Sequence, residues 1–87
     1  MRATEADLKQ VLADTLQIDI DTIDDDTSVD TVEEWDSLKH LNLVIALEDR
    51  FGVTFTEEQV VEILTYPLIR MVLEEQGVEL VQGSAER

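Results

Sequence analysis

Trp35-Asp36-Ser37-Leu38-Lys39-His40-Leu41-Asn42-Leu43-Val44-Ile45-Ala46-Leu47-Glu48-Asp49-Arg50-Phe51-Gly52 decides how the rest of the chain is read. In a helix of 3.6 residues per turn each residue advances about 100°. With Leu47 as origin, Leu43, Val44 and Phe51 fall within about 60° of it and form a stripe that can face a core. Leu38 and Ile45 fall about 160–180° away, and Leu41 lies between the two faces. The stretch predicts an amphipathic helix over Ser37–Phe51 with Leu38 and Ile45 left in solvent. Asp36 is placed to cap it, its carboxylate accepting from a backbone N–H near Lys39. Gly52 suits the left-handed position just past the last turn.

Working outward toward the N-terminus, the next stretch is Gln17–Asp36, longer than the ~12–15 residues usual for a loop in a compact domain. It holds Asp19, Asp21, Asp24, Asp25, Asp26, Asp30, Glu33 and Glu34, punctuated by Ile18, Ile20, Ile23, Val29, Val32 and Trp35. Those apolar residues predict a loop pinned to the helices rather than a free linker. Before it, Thr4 as N-cap, Glu5 and Asp7 in the first turn, and Leu8, Val11, Leu12 and Leu16 at helical spacing predict a helix over about Thr4–Leu16. Toward the C-terminus, Thr56 followed by Gln59 forms a capping box that opens a short helix, about Glu57–Leu64. Thr65 and Pro67 start a last helix, about Tyr66–Gln76, ended by Gly77. The reading is all-α: a four-helix bundle with a long loop between the first and second helices and a short third helix. One domain spans 1–80, and a tail, 81–87, is expected to be disordered, with Gly83–Arg87 frayed.

Composition narrows the function. The chain has 87 residues, enough for one small core and little room for a deep active site. Asp and Glu number 21 against six Lys and Arg, a net charge of −15. Such a surface repels phosphate backbones, which argues against nucleic-acid binding and against anionic membrane surfaces. It favours partners with basic patches. Cysteine is absent, which excludes disulfides and thiolate metal sites. No apolar run approaches the ~20 residues of a membrane span, and Met1–Glu5 lacks an apolar signal region. A cytoplasmic monomer is expected.

Trp35-Asp36-Ser37-Leu38, the apolar helix after it, and its ending Leu47-Glu48-Asp49-Arg50-Phe51-Gly52 resemble the acyl carrier protein family, over roughly Thr4 to Gln76. In that family the serine bears a 4′-phosphopantetheine arm taken from coenzyme A. The resemblance implies that Ser37 is the attachment residue and that Asp36 presents it to a phosphopantetheinyl transferase. The thiol of the arm would hold acyl or aminoacyl cargo as a thioester, which suits a chain with no cysteine of its own. The family's second helix is its main recognition surface, which implies partner contacts at Leu38, Leu41, Ile45, Glu48 and Asp49. The implied partners are the transferase, an acyl- or aminoacyl-loading ligase, and downstream synthases or transferases. Trp-Asp-Ser-Leu is most like carriers outside bulk fatty-acid synthesis, including stand-alone ones. The implied role is carriage in fatty-acid or secondary-metabolite biosynthesis, not catalysis.

Three other readings compete. Asp36, Ser37 and His40 have the residue types of an esterase, and positions 37 and 40 share a helix face. Neither a strand–turn–helix elbow nor a glycine-rich oxyanion segment accompanies them. His40 reads first as a partly buried structural histidine, and second as a residue that could touch the arm or its cargo. The loop aspartates suggest calcium, but an EF-hand started at Asp19 puts Ile23 at position 5 and Asp30 at position 12. Started at Asp24, it ends on Trp35. No metal site is expected. The third is an acidic helical adaptor that uses the Leu38/Ile45 face and never carries an arm.

Overall fold

The computed structural model describes residues 2–81. Four helices form where the caps and apolar spacing place them: α1 Glu5–Leu16, α2 Ser37–Phe51, α3 Glu57–Glu62 and α4 Tyr66–Glu75. Each start is closed by a side chain. Thr4 Oγ1 accepts from Asp7 N at 3.0 Å while Asp7 Oδ2 accepts from Thr4 N at 3.2 Å. Asp36 Oδ1 accepts from Lys39 N at 2.9 Å, as the spacing predicts. Thr56 and Gln59 exchange bonds of 3.1 and 3.0 Å. Thr65 Oγ1 accepts from Leu68 N at 3.2 Å, with Pro67 in the first turn. Each cap satisfies a backbone N–H that would otherwise lack a helical partner. Gly52, at φ 66°, closes α2 from the left-handed region.

One core holds the helices together. Leu8, Leu12 and Leu16 of α1 meet Leu43, Leu47 and Phe51 of α2 and Ile69, Val72 and Leu73 of α4, all buried. A fully buried side chain of this kind is worth about 1.5–3 kcal/mol. The long loop joins the same cluster through Ile23 and Trp35, with Ile18, Ile20, Val29 and Val32 packed against it. It is ordered, as its apolar punctuation predicts. A 3₁₀ turn, Ile20–Thr22, is capped by Asp19, and Thr27 is buried with its hydroxyl accepting from Asp24 N at 2.9 Å. Several of the loop aspartates therefore serve its turns: Asp19 Oδ1 and Asp24 Oδ1 accept from Asp21 N and Asp26 N.

α1 begins at Glu5 with Thr4 as its cap, as expected. Two boundaries differ from expectation. α3 stops at Glu62 rather than Leu64, because the long loop captures the following residues. Leu64 O accepts from Val29 N at 3.0 Å, Thr27 O accepts from Tyr66 N at 2.9 Å, and Ser28 bridges Thr65. α4 ends at Glu75, and the Gln76 N–H turns back to Val72 O and Leu73 O. The bundle also carries an element the all-α reading did not include. β1 Arg2–Thr4 pairs in parallel with β2 Glu79–Val81, Ala3 opposite Leu80, and this tie joins the start of α1 to the end of α4. Val81, assigned to the tail, is the last residue of β2; the rest of that tail lies outside the described residues.

Candidate functional site

Ser37 is the first residue of α2, and its side chain is exposed. The turn before it is short and bonded: Trp35 N donates to Val32 O and Asp36 N to Glu34 O, both at 3.1 Å. Asp36 is exposed and spends Oδ1 on the cap. Ser37 thus stands on a firm backbone at the positive end of a helix dipole, where an anionic substituent gains a few tenths to ~1 kcal/mol.

A cleft of about 540 Å³ opens beside the serine, lined by Val29, Trp35, Asp36, Ser37, His40, Leu41 and Leu64. Its walls are mainly apolar, and its polar side chains are largely committed. Trp35 Nε1 donates to His40 Nδ1 at 3.1 Å, and the indole and imidazole stack with centroids 6.1 Å apart. His40 Nε2 lies 2.7 Å from Val60 O. His40 is thus half-buried and bonded at both ring nitrogens, as the structural reading expects, and it also lines the cleft beside Ser37. Both ring nitrogens are engaged away from Ser37, which leaves neither to act as a base on its hydroxyl, and the esterase reading loses its general base.

On the outward face of α2, Leu38, Leu41 and Ile45 are 67%, 56% and 63% exposed. Three large apolar side chains within two turns, kept in water, form a patch rather than scattered exposure. Asp49 is exposed beside them. Glu48 is half-buried, and its Oε2 accepts from Phe55 N at 2.8 Å, pinning the segment that leads into α3. Val61 on α3, 68% exposed, and Leu64 were not anticipated as surface apolar residues. The pair Val60-Val61 carried a usable signal, since neighbours on a helix differ by about 100° and a short helix buries only one side. Leu64 carried none, lying just beyond the end of α3 where the helical period no longer assigns it a face. Among the described residues no group of three or more His, Asp or Glu is placed to hold a metal ion, and no helix is long and apolar enough to cross a membrane.

The small helical bundle thus places an exposed serine at a capped helix start, between an apolar cleft and an exposed apolar strip. The sequence profile described as "Phosphopantetheine attachment site" matches residues 6–78. The chain is also 36% identical over 58 residues to an acyl carrier protein of Petrotoga mobilis, an alignment spanning 67% of this chain and 68% of the relative. The chain belongs to the phosphopantetheine-attachment family, that of the acyl carrier proteins. Its cofactor is covalently attached 4′-phosphopantetheine, and the family it joins is one of carriers. The residues present fit that group: the cleft beside Ser37 has mainly apolar walls and room for an aliphatic amide chain, and the helix start suits a phosphodiester.

Proposed function

We propose that Ser37 is the residue that bears the phosphopantetheine, and that the protein carries acyl or aminoacyl groups between enzymes without transforming them itself. The single observation that supports this most is the position of Ser37: exposed, first in α2, and directly behind the Asp36 cap. When attached, the arm supplies a thiol, which a cysteine-free chain cannot, and that thiol takes cargo as a thioester. The chain's own residues do the rest. Asp36 holds the first turn by accepting from Lys39 N, so that Ser37 Oγ meets a transferase and coenzyme A in one orientation. The cleft walls formed by Val29, Trp35, Leu41 and Leu64 offer apolar shelter at the attachment point. Leu38, Leu41 and Ile45, with Asp49, form the strip that partners read. Those partners are a phosphopantetheinyl transferase, a loading ligase and downstream enzymes, each with a basic, partly apolar docking face. Glu48 contributes through the Phe55 backbone more than through direct contact.

Incubation with coenzyme A and a broad-specificity phosphopantetheinyl transferase, followed by intact mass measurement, tests this. One phosphopantetheine is expected on the wild-type chain and none on Ser37→Ala. An unchanged wild-type mass would instead support an acidic adaptor that docks through the same strip and carries no arm.

A further inference from the structure

We propose, on the reading that Ser37 is the attachment hydroxyl, that His40 is a positioning residue for the attachment reaction: its neutral imidazole ties the serine-bearing turn to the open end of α3. α3 has six residues, so the carbonyls of its last turn lack helical partners. Ile63 N serves Gln59 O at 3.1 Å and Leu64 N serves Glu62 O at 2.8 Å. Val60 O is met by His40 Nε2, 2.7 Å away. A carbonyl oxygen only accepts, so Nε2 carries the proton. The other ring nitrogen faces the indole N–H of Trp35, which only donates, so Nδ1 is bare. One tautomer satisfies both contacts, and the ring becomes a relay: Trp35 N–H to Nδ1, Nε2–H to Val60 O.

The two ends of this relay are what give it a role. Trp35 is buried and stands two residues before Ser37, immediately before the cap. Asp36 N bonds only to Glu34 O and Trp35 N only to Val32 O, so the buried Trp35 indole is one of the ties between the turn at the helix start and the body of the protein, beside the Lys39 Nζ bond to Gln17 Oε1 at 3.0 Å. Val60 belongs to α3, and Leu64, just beyond α3, forms part of the cleft wall. His40 thus joins three pieces that meet at the serine: the end of the long loop, the first turn of α2 and the C-terminal end of α3. The Leu38/Ile45 strip lies on the other side of α2 and takes no part in the relay. Docking of a partner and orientation of the hydroxyl are therefore separable.

That separation sets the test. His40→Phe keeps a ring and loses both bonds. His40→Gln keeps one acceptor and one donor on a side chain of similar reach. With a phosphopantetheinyl transferase and coenzyme A, His40→Phe is expected to lower kcat about tenfold or more while the KM for the carrier stays within about twofold. His40→Gln is expected to restore most of the rate. Trp35→Phe, which leaves the Val60 contact intact, should reproduce the kcat loss from the other end and serves where His40→Phe does not hold its fold. On the wild-type chain, nitrogen NMR of the single histidine should show a protonated Nε2 and a bare Nδ1. A proton on Nδ1, or a wild-type rate in folded His40→Phe and Trp35→Phe, overturns the proposal. So does a loss in His40→Gln as large as in His40→Phe. Absence of modification on wild-type Ser37 would remove the attachment reading and this role together. Modification at wild-type rate in the variants removes the role alone.

Discussion

Tyr66 shows how much a single polar atom can matter in so small a core. Its ring is buried in the bundle, and its hydroxyl donates to Glu5 Oε1 at 3.1 Å. Burial, then the charge of Glu5 and the bond to it, push the phenol well above the usual tyrosine range, although Arg70 beside the ring pulls the other way. The folded state therefore keeps a proton that the unfolded chain releases near pH 10. The stability this proton confers is complete below about pH 10 and is lost as the pH climbs toward the folded value. Tyr66→Phe should cost roughly 0.5–1.5 kcal/mol at neutral pH by removing one of the two donors to Glu5 Oε1, Arg70 being the other. It should also flatten the alkaline fall in stability, and urea melts at pH 7 and pH 11 would reveal both effects. An alkaline slope as steep in Tyr66→Phe as in wild type would mean that other groups govern it. Asp7 acts at the opposite end of the scale. The Thr4 backbone N–H, together with the Thr4 hydroxyl and Arg50, outweighs partial burial and holds its carboxyl below the usual range, so its share of stability fades as pH falls into the acid range. At this scale the sequence was informative where a residue acts on near neighbours, as Asp36 does on Lys39. It was uninformative where the partner is distant in the chain: nothing in the spacing joins His40 to Val60 or Tyr66 to Glu5.

Among the elements, α2 carries the clearest division of labour. Leu47 is wholly buried while Ile45, two residues away, is mostly in water. Leu47→Ala should cost about 2–5 kcal/mol, by lost burial and by the cavity left behind. Ile45→Arg should leave the melting temperature nearly unchanged, as surface substitutions do. Its cost should appear in the transferase KM, because it removes an apolar contact and places a cation before a basic docking face. A change confined to stability for Ile45→Arg, with an unaltered KM, would show that the strip is not read by that partner. α3 has the least internal support, and loss of its capping box in Thr56→Ala should cost about 0.5–2 kcal/mol. The four helices were legible because each pairs a capping signal with apolar residues at a 3.6-residue period. β1 and β2 were not, since three residues give too little alternation to detect and parallel pairing joins opposite ends of the domain. The end of α3 was misjudged for a related reason. Local pattern favours helix to Leu64, but Val29 and Thr27 claim the backbone there from the long loop.

At the scale of the whole molecule the governing quantity is the net charge of −15. Few cations offset it. Among the described residues the ion pairs are Arg50 with Asp7, and Arg70 with Glu5 and Asp25, at 3.1–3.4 Å and partly exposed. Exposed pairs of this kind contribute at most about 1 kcal/mol each, so repulsion among the remaining carboxylates is left largely uncompensated. Salt screens that repulsion within about 10 Å at 0.1 M ionic strength. On the proposed function, the same field that strains the folded chain would also draw in partners with basic faces, and salt would weaken that attraction too. Raising sodium chloride from low to physiological strength should therefore move two observables in opposite directions. The melting temperature should rise, followed by the loss of circular dichroism at helical wavelengths. The association rate with a basic transferase should fall, followed by stopped-flow mixing, while the dissociation rate changes far less because the apolar strip is not screened. Magnesium should act like salt at lower concentration, by accumulating near the loop carboxylates without a discrete site. A melting temperature that falls with salt, or an association rate indifferent to it, would mean that the carboxylates are balanced within the fold and that the acidic exterior does not steer encounter.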